Sequence, residues 1–396
     1  LRQIWRSAGR CQGHHWQCST GGIMDQHPLV IKGYKSIAEL SLVESPPFIT
    51  FAGANGAGKS NITDALAFFG AVVKTGATQA IRDFGGFQQI HCYKLRKENR
   101  TTASLHLQIE LGGKKFTYDL TIKTMDKKPT ITEKLVIDGD IHIDRKHPDT
   151  LMIRLSDDEE TPATYIPNYS SDMTALMLLG KSELYAFLTN IVVFRIDPLR
   201  AKEPDSAKTD STFLDSHGRN IASVLAALES NSEFKEQILE WMELIVPGME
   251  NVSTEKQKLD GSTVLTFKEQ GTRARFPAHL ISDGTIFTLC IMTAILSRAQ
   301  QTGMTIIEEP ERGIHPKAIG ELVQLMRENA SLNHPIVITT HSESIVRNLE
   351  PDELWFVSKK EGKTQLMHAS DAGVDKKEIP LDTAWLMNMF DGGLPW

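Results

Sequence analysis

Phe48-Ile49-Thr50-Phe51-Ala52-Gly53-Ala54-Asn55-Gly56-Ala57-Gly58-Lys59-Ser60 is the stretch that decides the fold of this chain. Its first five residues are apolar or β-branched and read as a buried strand. Gly53 through Ser60 fits G-x-x-x-x-G-K-[ST], a loop whose glycines let the backbone curl until successive N–H groups point inward at phosphate oxygens. Ile62, Leu66 and Phe69 then recur at helical spacing, so a helix begins where the loop ends and adds the positive end of its dipole. Lys59 is placed to reach β- and γ-phosphates, and the Ser60 hydroxyl to hold Mg²⁺. Gly53, Ala54, Asn55, Gly56, Ala57, Gly58, Lys59, Ser60 and Asn61 are therefore the candidate nucleotide-binding residues. A glycine-rich turn that binds nothing is the alternative, and the agreement of strand, loop and helix weighs against it.

Three further pieces lie towards the C-terminus. Met304-Thr305-Ile306-Ile307-Glu308-Glu309-Pro310 is an apolar strand ending in two acids. On a strand neighbouring the phosphate loop, the first acid would serve the Mg²⁺ shell and the second would orient or deprotonate the attacking water. Glu308 is thus assigned to the metal and Glu309 to the water. Pro335-Ile336-Val337-Ile338-Thr339-Thr340-His341-Ser342 is another apolar strand, which places His341 beside the same phosphate, within reach of it or of the water. Leu280-Ile281-Ser282-Asp283-Gly284-Thr285 opens a helix. Ser282 is a good N-cap, and Gly284 lets a backbone N–H approach an anion. That edge faces away from the phosphate loop and suits a nucleotide held by another subunit.

Together these residues resemble the ATP-binding-cassette type AAA-family ATPases of the RecF, SMC and OLD group, in their compact stand-alone branch. The resemblance spans about Leu29–Val357 and rests on the Gly53–Ser60 loop, Leu280–Thr285, Ile307–Pro316 and Thr340–Glu343. It implies an α/β P-loop fold with an ABC-type head: a mixed central sheet, an antiparallel β subdomain and a helical subdomain. It also implies ATP hydrolysis with Mg²⁺, and a homodimer in the ATP state with each nucleotide between one subunit's phosphate loop and the other's Ser282–Thr285 edge. Gln88 or Gln89 is implied as the glutamine that senses Mg²⁺. Glu308 stands where many relatives have aspartate. OLD-type relatives carry a nuclease domain after the histidine, and the roughly 55 residues following His341 leave no room for one. A nuclease-type effector would be a separate partner, DNA a possible one, and antiphage defence or DNA repair the implied setting. A transport ATPase docked on a membrane permease shares the motifs. The region between Leu105 and Arg275 and the Glu308–Pro316 run favour the RecF-like branch.

Composition bounds the rest. The chain has 396 residues, 40% hydrophobic and 23% charged, with net charge −7 and four cysteines. It has no apolar run of transmembrane length and no disulfide framework, which fits a reducing cytoplasm. The net charge gives no whole-molecule argument for nucleic acid. Arg82, Lys94, Arg96, Lys97 and Arg100 form a modest basic cluster that a solvated face explains as well. Leu1–Ile23 reads as a leader outside the fold, with Met24 as the natural start. Its Cys11, His14, His15 and Cys18 are packed too tightly for a closed zinc site.

Along the chain, residues 24–125 read as an N-terminal ATPase lobe. Leu29–Gly33 and Phe48–Ala52 are strands, and Leu105–Leu111 and Phe116–Ile122 alternate as a hairpin about Gly112-Gly113. A second hairpin is expected about Asp138-Gly139. Residues 126–275 are expected as an inserted loop and helical subdomain. Met125–Thr174 reads as mostly solvated loop around Asp157-Asp158-Glu159-Glu160, with helices at Leu176–Asn190 and Ile221–Ile245 and a strand at Val192–Phe194. Residues 276–358 form the C-terminal ATPase lobe of alternating strands and helices, which means a mostly parallel sheet. Residues 359–396 read as a weakly patterned tail.

Overall fold

The chain is seen in a computed structural model that describes residues 28–43, 46–155, 162–373, 376 and 378–390. Cys11, His14, His15 and Cys18, Met24, the acidic run at 157–160 and the last six residues lie outside the described residues. The chain enters through an antiparallel pair, β1 (Leu29–Tyr34) and β2 (Ile37–Leu42), then β3 (Phe48–Ala52), and passes through the loop into the Lys59–Thr75 helix. A long antiparallel run follows: β4 (Ala103–Leu111), β5 (Lys114–Lys123), β6 (Thr130–Ile137), β7 (Asp140–His147), β8 (Thr150–Ile153) and β9 (Thr164–Pro167). After β10 (Ile191–Phe194) come two helices, Ile221–Leu228 and Ser232–Ile245, and a small sheet of β11 (Met249–Lys256), β12 (Thr263–Glu269) and β13 (Phe276–Pro277). The Asp283–Leu296 helix leads to β14 (Met304–Glu308), β15 (Ile336–Thr340), β16 (Leu354–Lys360) and β17 (Lys363–His368).

The sheet that positions the site has the order β10-β14-β15-β3-β16-β17, with β17 antiparallel and the other five strands parallel. Side chains alternate across it. Phe48, Ile307, Ile338 and Phe356 enter one core with the Asp283–Leu296 helix. Phe51, Ile306, Val337 and Val357 enter the other, with Phe68 and Phe69 of the Lys59–Thr75 helix and the inner face of the antiparallel sheet. Both faces of the parallel strands are covered, so they read as continuous apolar runs.

Two expectations are corrected. The hairpin expected about Asp138-Gly139 is β6–β7, but the stretch around it read as solvated loop also folds as β8 and β9, which complete one sheet of order β2-β1-β4-β5-β6-β7-β8-β9. A boundary at residue 125 would therefore cut between paired strands β5 and β6. The polar letters misled because part of that charge is interior. Arg145 and Glu133 are both buried. Arg145 Nη1 donates to Glu133 Oε1 at 3.3 Å, and the Tyr118 hydroxyl donates to its Oε2 at 3.0 Å. A buried pair persists when its remaining valences are filled, as here by bonds from Arg145 to the carbonyls of Met173 and Ser170, both 2.6 Å. The second correction concerns the tail. β17 adds to the central sheet, and Trp385 and Phe390 are buried in its core.

Candidate functional site

The functional side chains collect at the carboxyl ends of the parallel strands, where open α/β sheets leave a crevice. Register aligns these ends: Glu308 is opposite Thr339, and Thr340 opposite Ala52. Gly53 N–H donates to Thr340 O at 3.2 Å, so the phosphate loop leaves the sheet beside His341. One correction follows. The acid strand β14 is not the immediate neighbour of β3, because the histidine strand β15 lies between them.

The loop is shaped by backbone that only glycine adopts freely. Gly56 (φ +79°) has open space where a side chain would stand, whereas a Cβ on Gly58 (φ +112°) would lie 2.2 Å from Thr364 Oγ1 on β17. Lys59 is buried, and its ammonium donates to the loop carbonyls of Gly53 at 2.7 Å and Ala54 at 3.0 Å. Burial lowers its pKa, against the charges of Glu309, Glu311 and Glu308. An ammonium has three donors, so one remains for an anion seated in the loop. The Ser60 side chain is exposed, and the Asn61 amide is tied to Ser36 Oγ at 2.6 Å.

Glu309 stands at φ +51°, a left-handed backbone that a non-glycine residue adopts at a cost, pinned by its N–H on Thr339 O at 2.9 Å. Its Oε1 lies 3.4 Å from His341 Nδ1. Behind the pair, Glu311 accepts from the Thr340 hydroxyl at 2.7 Å. Burial raises the Glu311 pKa despite that bond.

Glu308 is engaged differently from its neighbour. Thr63, one turn beyond Ser60, donates to its Oε1 at 2.8 Å. Arg195, the residue after β10, donates through Nε to Oε2 at 3.0 Å and through Nη2 to Oε1 at 2.9 Å. The same Nη2 donates to Asp64 Oδ1 at 2.6 Å, and Lys35 donates to Asp64 Oδ2 at 2.5 Å. Burial opposes the Arg195 charge, but the bonds and charges of Glu308 and Asp64 outweigh it and hold the pKa above its ordinary value.

Among the candidate residues, the Gly53–Ser60 loop, Glu308, Glu309 and His341 come together. Ser282 is the N-cap of the Asp283–Leu296 helix, its Oγ accepting from Thr285 N–H at 3.2 Å. Gly284 serves packing: a Cβ there would lie 2.1 Å from Gly313 O, so its absence lets that helix start pack on the turn after the acids. Gln88 is exposed and accepts from the Tyr93 hydroxyl at 3.3 Å, and Gln89 is also exposed; neither is brought onto Glu308 or Ser60 by a bond. Arg195, Thr63, Asp64 and Lys35 were not foreseen. Arg195 could have been found as the polar residue closing Val192–Phe194, as the acids close theirs.

The donor set fits a nucleotide: a left-handed turn with open space at Gly56, a spare ammonium donor and an exposed hydroxyl. Among the described residues no group of three His, Cys, Asp or Glu could hold a metal by itself. Mg²⁺ would take the Ser60 hydroxyl and otherwise phosphate and water oxygens, the usual preference of that ion.

Solved structures of similar fold include an SMC head bound to the C-terminal winged-helix domain of ScpA, with TM-score 0.56, 13% identity, and 86% of this chain and 96% of that one covered. Another is an Smc head with an extended coiled coil bound to the C-terminal domain of ScpA derived from Pyrococcus furiosus, with TM-score 0.51, 12% identity, and 89% and 98% covered. No curated protein sequence matches significantly. At these identities the structures speak for the fold alone, a P-loop head of the ABC type. A family profile, however, matches residues 48–347, from the phosphate-loop strand to the helix after His341. The chain belongs to that AAA family of ATPases, described as "AAA domain, putative AbiEii toxin, Type IV TA system".

Proposed function

We propose that this protein binds and hydrolyses ATP with Mg²⁺, and that two copies close around the nucleotide as a switch for a separate effector. The observation that carries the reading is the meeting of Lys59, Glu309 and His341 at one sheet edge, with His341 Nδ1 3.4 Å from Glu309 Oε1. When bound, the nucleotide supplies the scissile phosphoanhydride, and the metal offsets charge on its phosphates. Lys59 releases its loop carbonyls to hold the terminal phosphates. Glu309 orients a water and accepts its proton. His341, adjacent to Glu309, hydrogen-bonds the terminal phosphate or that water. Ser282 and Gly284 of a second copy complete the pocket from the far side.

The effector side is read from chemistry and kinship. The described relatives include heads in complex with a partner domain, and the family description names a toxin of a toxin–antitoxin system. These support an output to a nuclease-type partner or DNA, in antiphage defence or DNA repair. Buried, unpaired Cys92 and Cys290 suit a reducing cytoplasm. Among the described residues no helix is long and apolar enough to cross a membrane.

The test is a pair of variants. Lys59→Ala should lose ATP binding in calorimetry. Glu309→Gln should bind ATP, turn over at least about 100-fold more slowly, and accumulate dimers by light scattering. Tight ATP binding by the first, or parental turnover by the second, defeats the assignment.

A further inference from the structure

Glu308 and Asp64 sit at the acid end of the site with two cations already on them. The Arg195 fork takes one hydrogen bond to each oxygen of Glu308 and a third to Asp64, and Thr63 fills a second position on Glu308 Oε1. A carboxylate has about four acceptor positions, so three of Glu308's are spoken for by its own chain. The Glu308 side chain is 15% exposed and that of Arg195 42%, so the carboxylate is shielded while the guanidinium stays open to solvent. The fork is also anchored from behind. Arg195 N–H donates to Ser216 O at 2.7 Å, and Asp197 N–H to His217 O at 2.9 Å. Asn220 braces that turn, its amide donating to the carbonyls of Asp210 and Phe213, both at 2.8 Å.

We propose that Arg195 is a positioning residue that keeps the Glu308 carboxylate turned onto Thr63, one helical turn past Ser60, and so weakens the site's hold on a divalent cation. This rests on the nucleotide reading above and deepens it. While the fork is closed, most of Glu308's acceptor positions are taken by Arg195 and Thr63, so the carboxylate would be a poor direct ligand for a cation. The longer arm of glutamate is what reaches Thr63 and Arg195 from the end of β14. Loss of the arginine charge leaves two carboxylates with one lysine among them, and Glu308 swings towards Ser60.

The probe is Mn²⁺, titrated by electron paramagnetic resonance into the full chain with a non-hydrolysable ATP analogue, so that turnover plays no part. Arg195→Gln should bind Mn²⁺ about tenfold more tightly than the parent, the order expected for removing one nearby cation. The number of water ligands on the ion should fall as Glu308 becomes a direct ligand. Arg195→Lys keeps the charge without the fork and should tighten binding by about two- to threefold; should the glutamine variant not fold, a lysine variant tighter than the parent decides in favour. Equal or weaker Mn²⁺ binding in folded variants overturns the role of Arg195 and leaves ATP binding standing. A parent that binds neither analogue nor metal overturns the nucleotide reading itself, and this inference with it.

Discussion

Glu309 joins a carboxylate facing His341 to a strained backbone in one residue. At φ +51° a side chain presses on the following carbonyl, costing about 1 kcal/mol. Glycine carries no such penalty. Glu309→Gly should therefore be more stable to urea than Glu309→Ala by roughly 1 kcal/mol, while both lose hydrolysis; equal stability of the two would show the left-handed backbone to be unstrained. The identities of Lys59, Ser60, Glu308, Glu309 and His341 were readable because each closes an apolar strand or a glycine turn. The use made of Glu308 was not. Nothing in Ile307-Glu308-Glu309 says that one acid meets a histidine and the other an arginine 113 positions away. That pairing is set by which strand lies beside β14.

At the level of elements, β14 and its flanks carry a titratable lock. His334, buried just before β15, donates from Nδ1 to Gln301 O at 2.7 Å and accepts at Nε2 from the Thr305 hydroxyl at 2.8 Å. Thr305 in turn accepts from Arg298 Nε at 3.0 Å. Burial, with the Arg298 charge adding to it against the Gln301 bond, lowers the His334 pKa to about 4. The unfolded residue takes a proton near 6.5 and the folded one does not. Between those values the unfolded chain binds more protons, so stability is full above about pH 6.5 and falls as pH drops towards 4, by roughly 3 kcal/mol in all. His334→Gln should melt lower at neutral pH yet show a shallower acid limb over that window in calorimetry; an unchanged limb would place the loss elsewhere. Elements with strong patterns, such as Ile336–Thr340 and the β4–β5 hairpin, were legible from alternation or continuous apolarity. β8, β9 and β17 were not. Met152 and Tyr165 point outward, and Lys363–His368 alternates weakly, so partner strands define them more than their own letters do.

For the whole molecule, the Ser282 edge is the expected meeting face of a second copy. Ser282→Arg should abolish ATP-dependent pairing in sedimentation while the monomer's ATP affinity changes by no more than about twofold, since Lys59 and its loop are untouched. The variant also loses a helix cap, about 1 kcal/mol, visible as a modest drop in monomer melting temperature. Pairing that survives the arginine would put the interface on another face. The parallel sheet that carries the motifs could be anticipated from their order. The extent of the antiparallel sheet could not, because the buried Glu133–Arg145 pair looks like surface when read as letters.

The contact of Gly58 with Thr364 has a bearing on how the protein is made. Thr364 also receives Ser36 O on its N–H at 3.0 Å and pairs hydroxyls with Ser36 at 2.6 Å. The glycine turn is thus backed by a residue more than 300 positions downstream. Translation proceeds from the N-terminus, so a nascent chain on the ribosome displays Gly53–Ser60 long before its supporting wall exists. The final shape of this turn is therefore set late, with the emergence of β17, and a product stopped before Lys363 would carry the motif without the wall behind it.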